Sequence, residues 1–349
     1  MKPLTLLALL SFAVPLHAAP KDFVRKAQSW MESTDGAKRL SAFRSWMQLG
    51  PEEMENYERA LDSAEDFHSD RINKLCNPLR ADSNPYRAYQ QIADELDEER
   101  KRVLVRVRTD WKKDEREAKK LDKEMEDVAR LDKKVRKAAE LETARFDKTL
   151  SSHIQAIIEI RKEQRQFEEE PDDLDDDEIH EEILEDHHHL LALEDVKKRL
   201  QQTRREVEKL ASVEKTNAEL PTSWAKPVLK EFATILNFNR SILGLTPLLL
   251  EEKLSDASKG HSKDMADLEF FAHESPVPGK KTPWDRAAKA GFQWAASGEN
   301  IYMGSTQASD AYTAWFHSDG HRFIMMADGP NLLGVGLYGK HWTMMTGTR

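Results

Sequence analysis

Cysteine is nearly absent. Cys76 is the only one in 349 residues, so the chain can form no internal disulfide and must rely on its core for stability. A single thiol leaves two readings, a half-buried free side chain or a bridge between chains; the free thiol is the simpler. Long apolar runs are missing after the first twenty residues. None approaches the ~20 residues that a membrane-spanning helix needs, so no transmembrane segment is expected in the mature chain. An excess of basic charge is missing too. The net charge is −10, and nucleic acid is excluded as a partner because phosphate binding needs a basic face. The familiar catalytic signatures GxSxG, HExxH and CxxC are not found, nor is a phosphate-binding glycine loop. Cys76 also lies far in sequence from the candidate site described below, which argues against a cysteine–histidine hydrolase.

Apolar residues make up 39% of the chain and charged residues 33%. That apolar deficit is too large to spread evenly over a globular protein, and it implies one compact domain plus long solvated helices. The chain starts with Met1-Lys2 and the run LTLLALLSFAVPL, which ends at His17-Ala18-Ala19-Pro20. A charged start, a short apolar run and a small-residue exit read as a secretory signal peptide over residues 1–19, placing the protein in the secreted or periplasmic class. Residues 20–85 read as short amphipathic helices, with Phe23, Ala27, Trp30 and Met31 on one face and Met54, Tyr57, Leu61, Ala64, His68, Ile72 and Leu75 on another. His68 falls on that apolar stripe and reads as a packed histidine.

From Tyr86 to Phe167 there is neither proline nor glycine, and opposite charges recur four residues apart. As one helix this stretch would be about 120 Å long at ~1.5 Å per residue. Its thin seam is Leu121, Met125, Val128, Val135, Phe146, Leu150, Ile154 and Ile157. A lone helix buries nothing, so it needs a partner. An acidic turn at 168–178 lacks the alternating ligands and central glycine of a calcium loop. A second helix follows, with a heptad seam at Leu193, Val196, Leu200, Thr203, Val207 and Leu210. Residues 86–215 therefore read as a helical hairpin, with a dimeric coiled coil and self-association as the rival. His187, His188 and His189 cannot all face one ion on a helix. One of them, with His180 or Glu185, would make at most a weak site, and a solvated patch is the plainer reading.

Leu220-Pro221 to Pro227 marks a boundary, and a C-terminal domain is expected over 228–349. It opens with a helix ending at Gly244. Leu254, Ala257, His261, Met265 and Leu268 mark the core face of a second helix, and Gln307–Phe316 a third. Leu332–Tyr338 and Trp342–Thr346 alternate like strands around Gly339-Lys340. Interleaved helices and strands suggest by pattern alone an α/β layered domain, and with the long all-α region before it the chain reads as α+β. Glycine, proline, aromatic and titratable residues crowd together only between Phe270 and Arg322, so a concave functional site is expected there.

Six ordered pieces carry a resemblance: NFNRSILGLTPL, LSDASKGHSKDMADLEFFAHESP, TPWDRAAKAGF, GENIYMG, AWFHSDGHR and LLGVGLYGKHWTMMTG. Together they resemble the bacterial branch of the CAP superfamily, or SCP domain, whose members include cysteine-rich secretory proteins, antigen 5 and plant pathogenesis-related proteins. The resemblance covers the C-terminal third and implies an α-β-α sandwich. It also implies a cleft in which His273, Glu299 and His321 converge. The family's second acid follows a tryptophan; here Ser318 occupies that place after Trp315, and Asp319 is adjacent. Asn300, Arg286 and Ser318 are candidate binding or loop-holding residues, and His261 reads as a core histidine at the cleft wall.

Two neutral imidazoles and one carboxylate can hold Zn²⁺ or another divalent metal with a position left for water, and without metal they can relay protons. The missing second acid makes any metal binding through His273 and His321 weak. Three readings follow. The first is an exported ligand-binding or envelope-interaction module on a helical spacer, with an envelope or extracellular ligand, lipid among the candidates, in a groove lined by Phe270, Phe271, Trp284, Phe292 and Trp294. The alternative is a metal-dependent hydrolase acting on peptide or envelope polymer through His273, Glu299 and His321. The third is a structural envelope protein that works through its long helices.

Overall fold

The computed structural model describes residues 66–165 and 175–349. The expected signal peptide, the first amphipathic helices and most of the acidic turn lie outside the described residues. The described residues form two compact units, one of 66–87 with 144–198, the other of 88–143 with 199–349.

The first unit contains helix α1 over 66–76, a 3-10 turn at Asn77–Leu79, the C-terminal part of α3 (Glu115–Arg165), α4 (Asp176–Asp186) and the start of α5 (His188–Glu219). Its core includes Phe146, Leu150, Ile154 and Ile157, all buried, with Tyr86 edge-on to Phe146. Arg161 binds Glu182 and Asp186. The acidic turn expected to 178 gives way to helix at Asp176. Asp175 accepts the Asp177 and Glu178 amides, and Glu178 accepts the Asp175 amide. Carboxylates at a helix start satisfy free N–H groups and the positive dipole end, so an acidic run initiates a helix here.

The second unit begins with α2 (Arg87–Val107). The unbroken helix that the sequence suggests is interrupted at 108–114, where Lys112 and Lys113 take positive φ. Thr109, Asp110 and Asp114 favour helix less than the residues around them, and Asp114 accepts the Arg116 and Glu117 amides as the cap of α3; side chains of the domain downstream also take over the loop's backbone groups, as described below. Leu121, Met125, Val128 and Val135 of α3 are buried. Helix α5 lies against α2 through Arg199 to Asp94 and Asp97 and Thr203 beside Tyr89. The α5 seam is buried through Leu200 but fails at Val207, which is 37% exposed. The strict heptad does not persist to the end of this helix.

The C-terminal domain is α+β. Helices α6 (Pro227–Ile242), α7 (Glu252–Asp267), α8 (Pro283–Lys289), α9 (Ala308–Phe316) and α10 (Asp319–Met325) surround a sheet of order β1-β3-β4-β2. The strands are β1 (Leu249–Leu250), β2 (Ala295–Met303), β3 (Leu332–Tyr338) and β4 (His341–Thr348). β1 is parallel to β3; β3–β4 and β4–β2 are antiparallel. The β3–β4 hairpin turns at Gly339, φ +57°, as a two-residue turn requires. The side amides of Asn217 and Asn237 pair with Leu248 and Leu250 backbone groups, so the short edge strand β1 is covered by side chains in place of a further strand.

Leu254, Ala257, Phe292, Leu332 and Met345 share one core cluster. Leu268, expected on the core face of α7, is 54% exposed, because the helix ends at Asp267 and Glu269 takes φ +53°. Helix α7 lies directly on β3. A Cβ on Gly334 would meet the Leu254 backbone at 2.4 Å, and one on Gly336 the Lys259 backbone at 2.1 Å. The glycines of GVG in β3 are therefore the contact surface for the helix.

Gly336→Ala should lower stability by about 1–3 kcal/mol, since backbone must move to admit the methyl. Gly260→Ala, in α7 with nothing within 4 Å of the added carbon, should raise it by about 0.5–1 kcal/mol. Thermal unfolding of both variants checks the pair; equal effects would refute the close helix–strand contact.

Candidate functional site

The centre of the site is one buried carboxylate. Glu299 sits on β2, a strand that the alternation of the sequence did not reveal because its outer half is exposed and carries small residues. Gly298 beside it admits α10 closely: a Cβ there would meet Ile324 at 2.8 Å. Glu299 is 6% exposed and both its oxygens are engaged. Oε1 lies 2.9 Å from His273 Nδ1 and Oε2 accepts from Arg286 Nη2 at 2.5 Å. Arg286 comes from α8, which starts with a Thr282–Asp285 capping box and proline. Its other terminal nitrogen donates to the Lys280 and Lys281 carbonyls. The His273 side chain is 51% exposed, so it forms the open side of this group.

His261 of α7 is fully buried. Its Nε2 donates to the Ala272 carbonyl at 3.0 Å and lies 4.0 Å from Glu299 Oε1. Burial holds its pKa below the ordinary imidazole value, against the opposing pull of Glu299. His321, on α10, is half-buried. Burial lowers its pKa, and the charges of His273 and Lys113 lower it further. Its Nδ1 lies 2.9 Å from Ser318 Oγ. Asn300 donates to the His321 carbonyl at 2.9 Å. The structure thus joins His273 and Arg286 to Glu299 directly, sets His261 4.0 Å from the same carboxylate, and joins His321, Ser318 and Asn300 as a second group.

The donor set fits a metal poorly. Both Glu299 oxygens are engaged, one of them by a guanidinium that already neutralises the carboxylate. Among the described residues His273, Glu299 and His321 do not bring one ligand atom each within 4.8 Å of one another.

Asp319 does not point to this group. It accepts the Trp111 and Lys112 amides at 3.3 and 2.9 Å and binds Arg322 at 2.8 Å. Those hydrogen bonds hold its carboxyl below the usual range even though burial pushes it up. Arg322, with no exposed surface, donates to the carbonyls of Val107, Thr109 and Phe316, and Trp111 stacks 4.2 Å from its guanidinium carbon. These contacts hold the helix break at 108–114. Asp319 and Arg322 supply partners that the loop's amides and carbonyls would otherwise find within a helix. Arg240 acts similarly, donating to Thr246, Met325 and Ala327 carbonyls; burial lowers its pKa to about 10. The sequence reading passed over both arginines. The available signal was a single cation inside otherwise apolar or aromatic segments, as in NFNRSIL.

Of the aromatic groove residues, Phe271, Trp284 and Trp294 are 48%, 58% and 42% exposed, while Phe292 is buried in the core. Phe271 precedes His273 by two residues and Trp284 precedes Arg286 by two. Both exposed rings are therefore carried on the segments that bind Glu299.

The profile of the CAP family, described as the cysteine-rich secretory protein family, matches residues 235–342. Among curated proteins the chain is 34% identical over 137 residues to the uncharacterized protein YkwD of Bacillus subtilis, covering 38% of this chain and 52% of that protein. It is 29% identical over 114 residues to the uncharacterized membrane protein YlbC of the same organism, covering 33% and 32%. The match thus spans about half and about a third of those relatives. Among solved structures, an extracellular protein containing an SCP domain from Bacillus anthracis aligns at 31% identity and TM-score 0.33, covering 34% of this chain and 40% of that one. An outer surface protein from Borrelia burgdorferi aligns at 17% identity and TM-score 0.33, covering 37% and 96%.

Two outcomes follow from this geometry. Arg322→Met together with Asp319→Ala should raise amide hydrogen exchange at Trp111 and Lys112 by about 10- to 100-fold, the loss expected for charge-assisted bonds, with β3 and β4 unchanged; unchanged exchange at 111–112 refutes the assignment. The second concerns pH. The native chain keeps His261 and His321 neutral where the unfolded chain protonates them, below about pH 6.5. Their stabilising contribution is complete above that pH and is lost on acidification. Melting temperature should fall from pH 7.5 to pH 5, and His261→Gln should flatten part of that slope; an unaltered slope counts against the buried neutral ring.

Proposed function

We propose that this chain, whose residues 235–342 are a CAP domain, is an exported, secreted or periplasmic binding module. Its CAP domain takes an apolar or amphipathic ligand, lipid-like in chemistry, and its helical region serves as a spacer. The observation that carries the reading is the engagement of Glu299: the one buried acid of the site is closed by Arg286 and His273. A carboxylate so paired fixes the shape of the loops. It is poorly placed to activate water, which needs a free acceptor within hydrogen-bond reach. Exposed Phe271 and Trp284 on the same loops supply the apolar surface that a ligand needs. Zn²⁺ or another divalent ion at His273 and His321 is weakly held on this reading, as the guanidinium beside the carboxylate disfavours a second cation.

Spacer is favoured over self-association because the α3 seam from Leu121 to Val135 is buried within the single chain. Among the described residues no helix is long and apolar enough to cross a membrane. The sequence signature of a leader supports export.

Sedimentation with phospholipid vesicles tests the reading. Phe271→Ser with Trp284→Ser should weaken binding by about tenfold or more, the scale of losing one or two buried rings. Unchanged binding overturns it. Zinc retained through dialysis at His273 and His321, with turnover of peptide, would restore the hydrolase alternative.

A further inference from the structure

Cys76, His187 and His189 lie outside the CAP domain, and each offers one ligand atom, the three within 4.8 Å of one another. Three independent features of the fold make this group. Cys76 ends α1, one residue before the proline-containing turn Asn77–Leu79, and it is fully buried, where the sequence suggested a half-buried thiol. Residues two apart on a helix face opposite ways, yet His187 and His189 meet. They do so because His187 is not helical: at φ −120°, ψ 78° it separates α4 from α5. Their rings lie 5.6 Å apart, while the intervening His188 is exposed.

The group is also incomplete without a partner. His189 is 9% exposed, and its Nε2 is buried with no hydrogen-bond partner among the described residues. Buried polar atoms are seldom left so. Burial holds both His187 and His189 below the ordinary imidazole value, and neutral imidazole is the form that ligates metals.

We propose that Cys76, His187 and His189 bind a divalent transition-metal ion, Zn²⁺ foremost, that ties the end of α1 to the α4–α5 junction. One soft sulfur with two imidazoles selects zinc or cobalt over magnesium and calcium, which take oxygen ligands. Bond lengths of about 2.3 Å to sulfur and 2.0–2.1 Å to nitrogen set tetrahedral ligand separations of roughly 3.3–3.6 Å. The 4.8 Å that bounds the group exceeds that spacing by about 1 Å, so the three side chains must close on the ion. Binding displaces the Cys76 thiol proton to solvent and leaves the fourth position to water. The ion closes a loop from residue 76 to residue 187 in a chain that has no disulfide, so it acts on stability.

The test is titration of the full-length, reduced protein with Co²⁺, followed by displacement with Zn²⁺. Cys76 is the only cysteine, so a thiolate-to-cobalt charge-transfer band can arise nowhere else. Expected are that band at one ion per chain, its bleaching by Zn²⁺, and a rise in melting temperature with Zn²⁺. Cys76→Ser should abolish the band and His187→Ala should weaken cobalt binding at least tenfold. His188→Ala and the His273→Ala, His321→Ala double variant should leave both unchanged, separating this group from the CAP site. Circular dichroism establishes that each variant is folded; if Cys76→Ser is not, the half-exposed His187→Ala decides. No charge-transfer band at millimolar Co²⁺, or equal affinity in wild type and His187→Ala, overturns the proposal.

Discussion

Three buried guanidinium groups hold the loops of the C-terminal domain. Arg240, Arg286 and Arg322 are each at most 2% exposed, and each donates to at least two backbone carbonyls. Burying a cation is costly unless every nearby acceptor is well placed. A planar fork of five donors comes closer to that demand than an ammonium group does, although Arg240 Nη2 and Arg286 Nε find no acceptor among the described residues. Once such a group is buried, the carbonyls around it cannot leave without stranding a charge. The constraint therefore does for this domain what cross-links do in disulfide-bonded proteins.

The arginines differ in their counter-charges, and the difference divides structure from site. Among the described residues Arg240 has carbonyls alone as its hydrogen-bond acceptors, and it joins α6 to the end of α10. Arg322 shares Asp319 and holds the break between α2 and α3. Arg286 holds Glu299, the one buried acid among the residues expected to act. The same pairing that makes Glu299 tolerable in the interior also removes it from general-base chemistry. His273 remains as the exposed titratable group at the site's edge. Burial and neighbouring charge have thus arranged a polar group that keeps a shape, flanked by aromatic side chains facing solvent.

Periodicity and composition carried far in the long helices. The α3 seam follows the expected steps to Ile157, because an amphipathic stripe is a local property repeated along one element. The six motif pieces likewise pointed to the domain whose family profile matches residues 235–342. The motif could not supply partners: nothing in the spacing of Arg286 and Glu299, thirteen residues apart on a helix and a strand, announces an ion pair. Strand β2 was missed because its exposed small residues hide the alternation.

What the sequence by itself determined is therefore the α+β class, the helical character of the region before the domain, the motif residues and the lack of any disulfide. These depend on residue type and near-neighbour pattern. Tertiary structure alone decided the partners of the break at 108–114, where Asp319 and Arg322 from two hundred residues away take the Trp111 and Lys112 amides and the Val107 and Thr109 carbonyls. It alone decided that Val207 faces solvent, and that His187 leaves the helix so that two histidines reach one buried thiol. At 108–114 the long-range contacts add to local preferences worth less than about 1 kcal/mol per residue, and such contacts have no signature in the order of neighbouring residues.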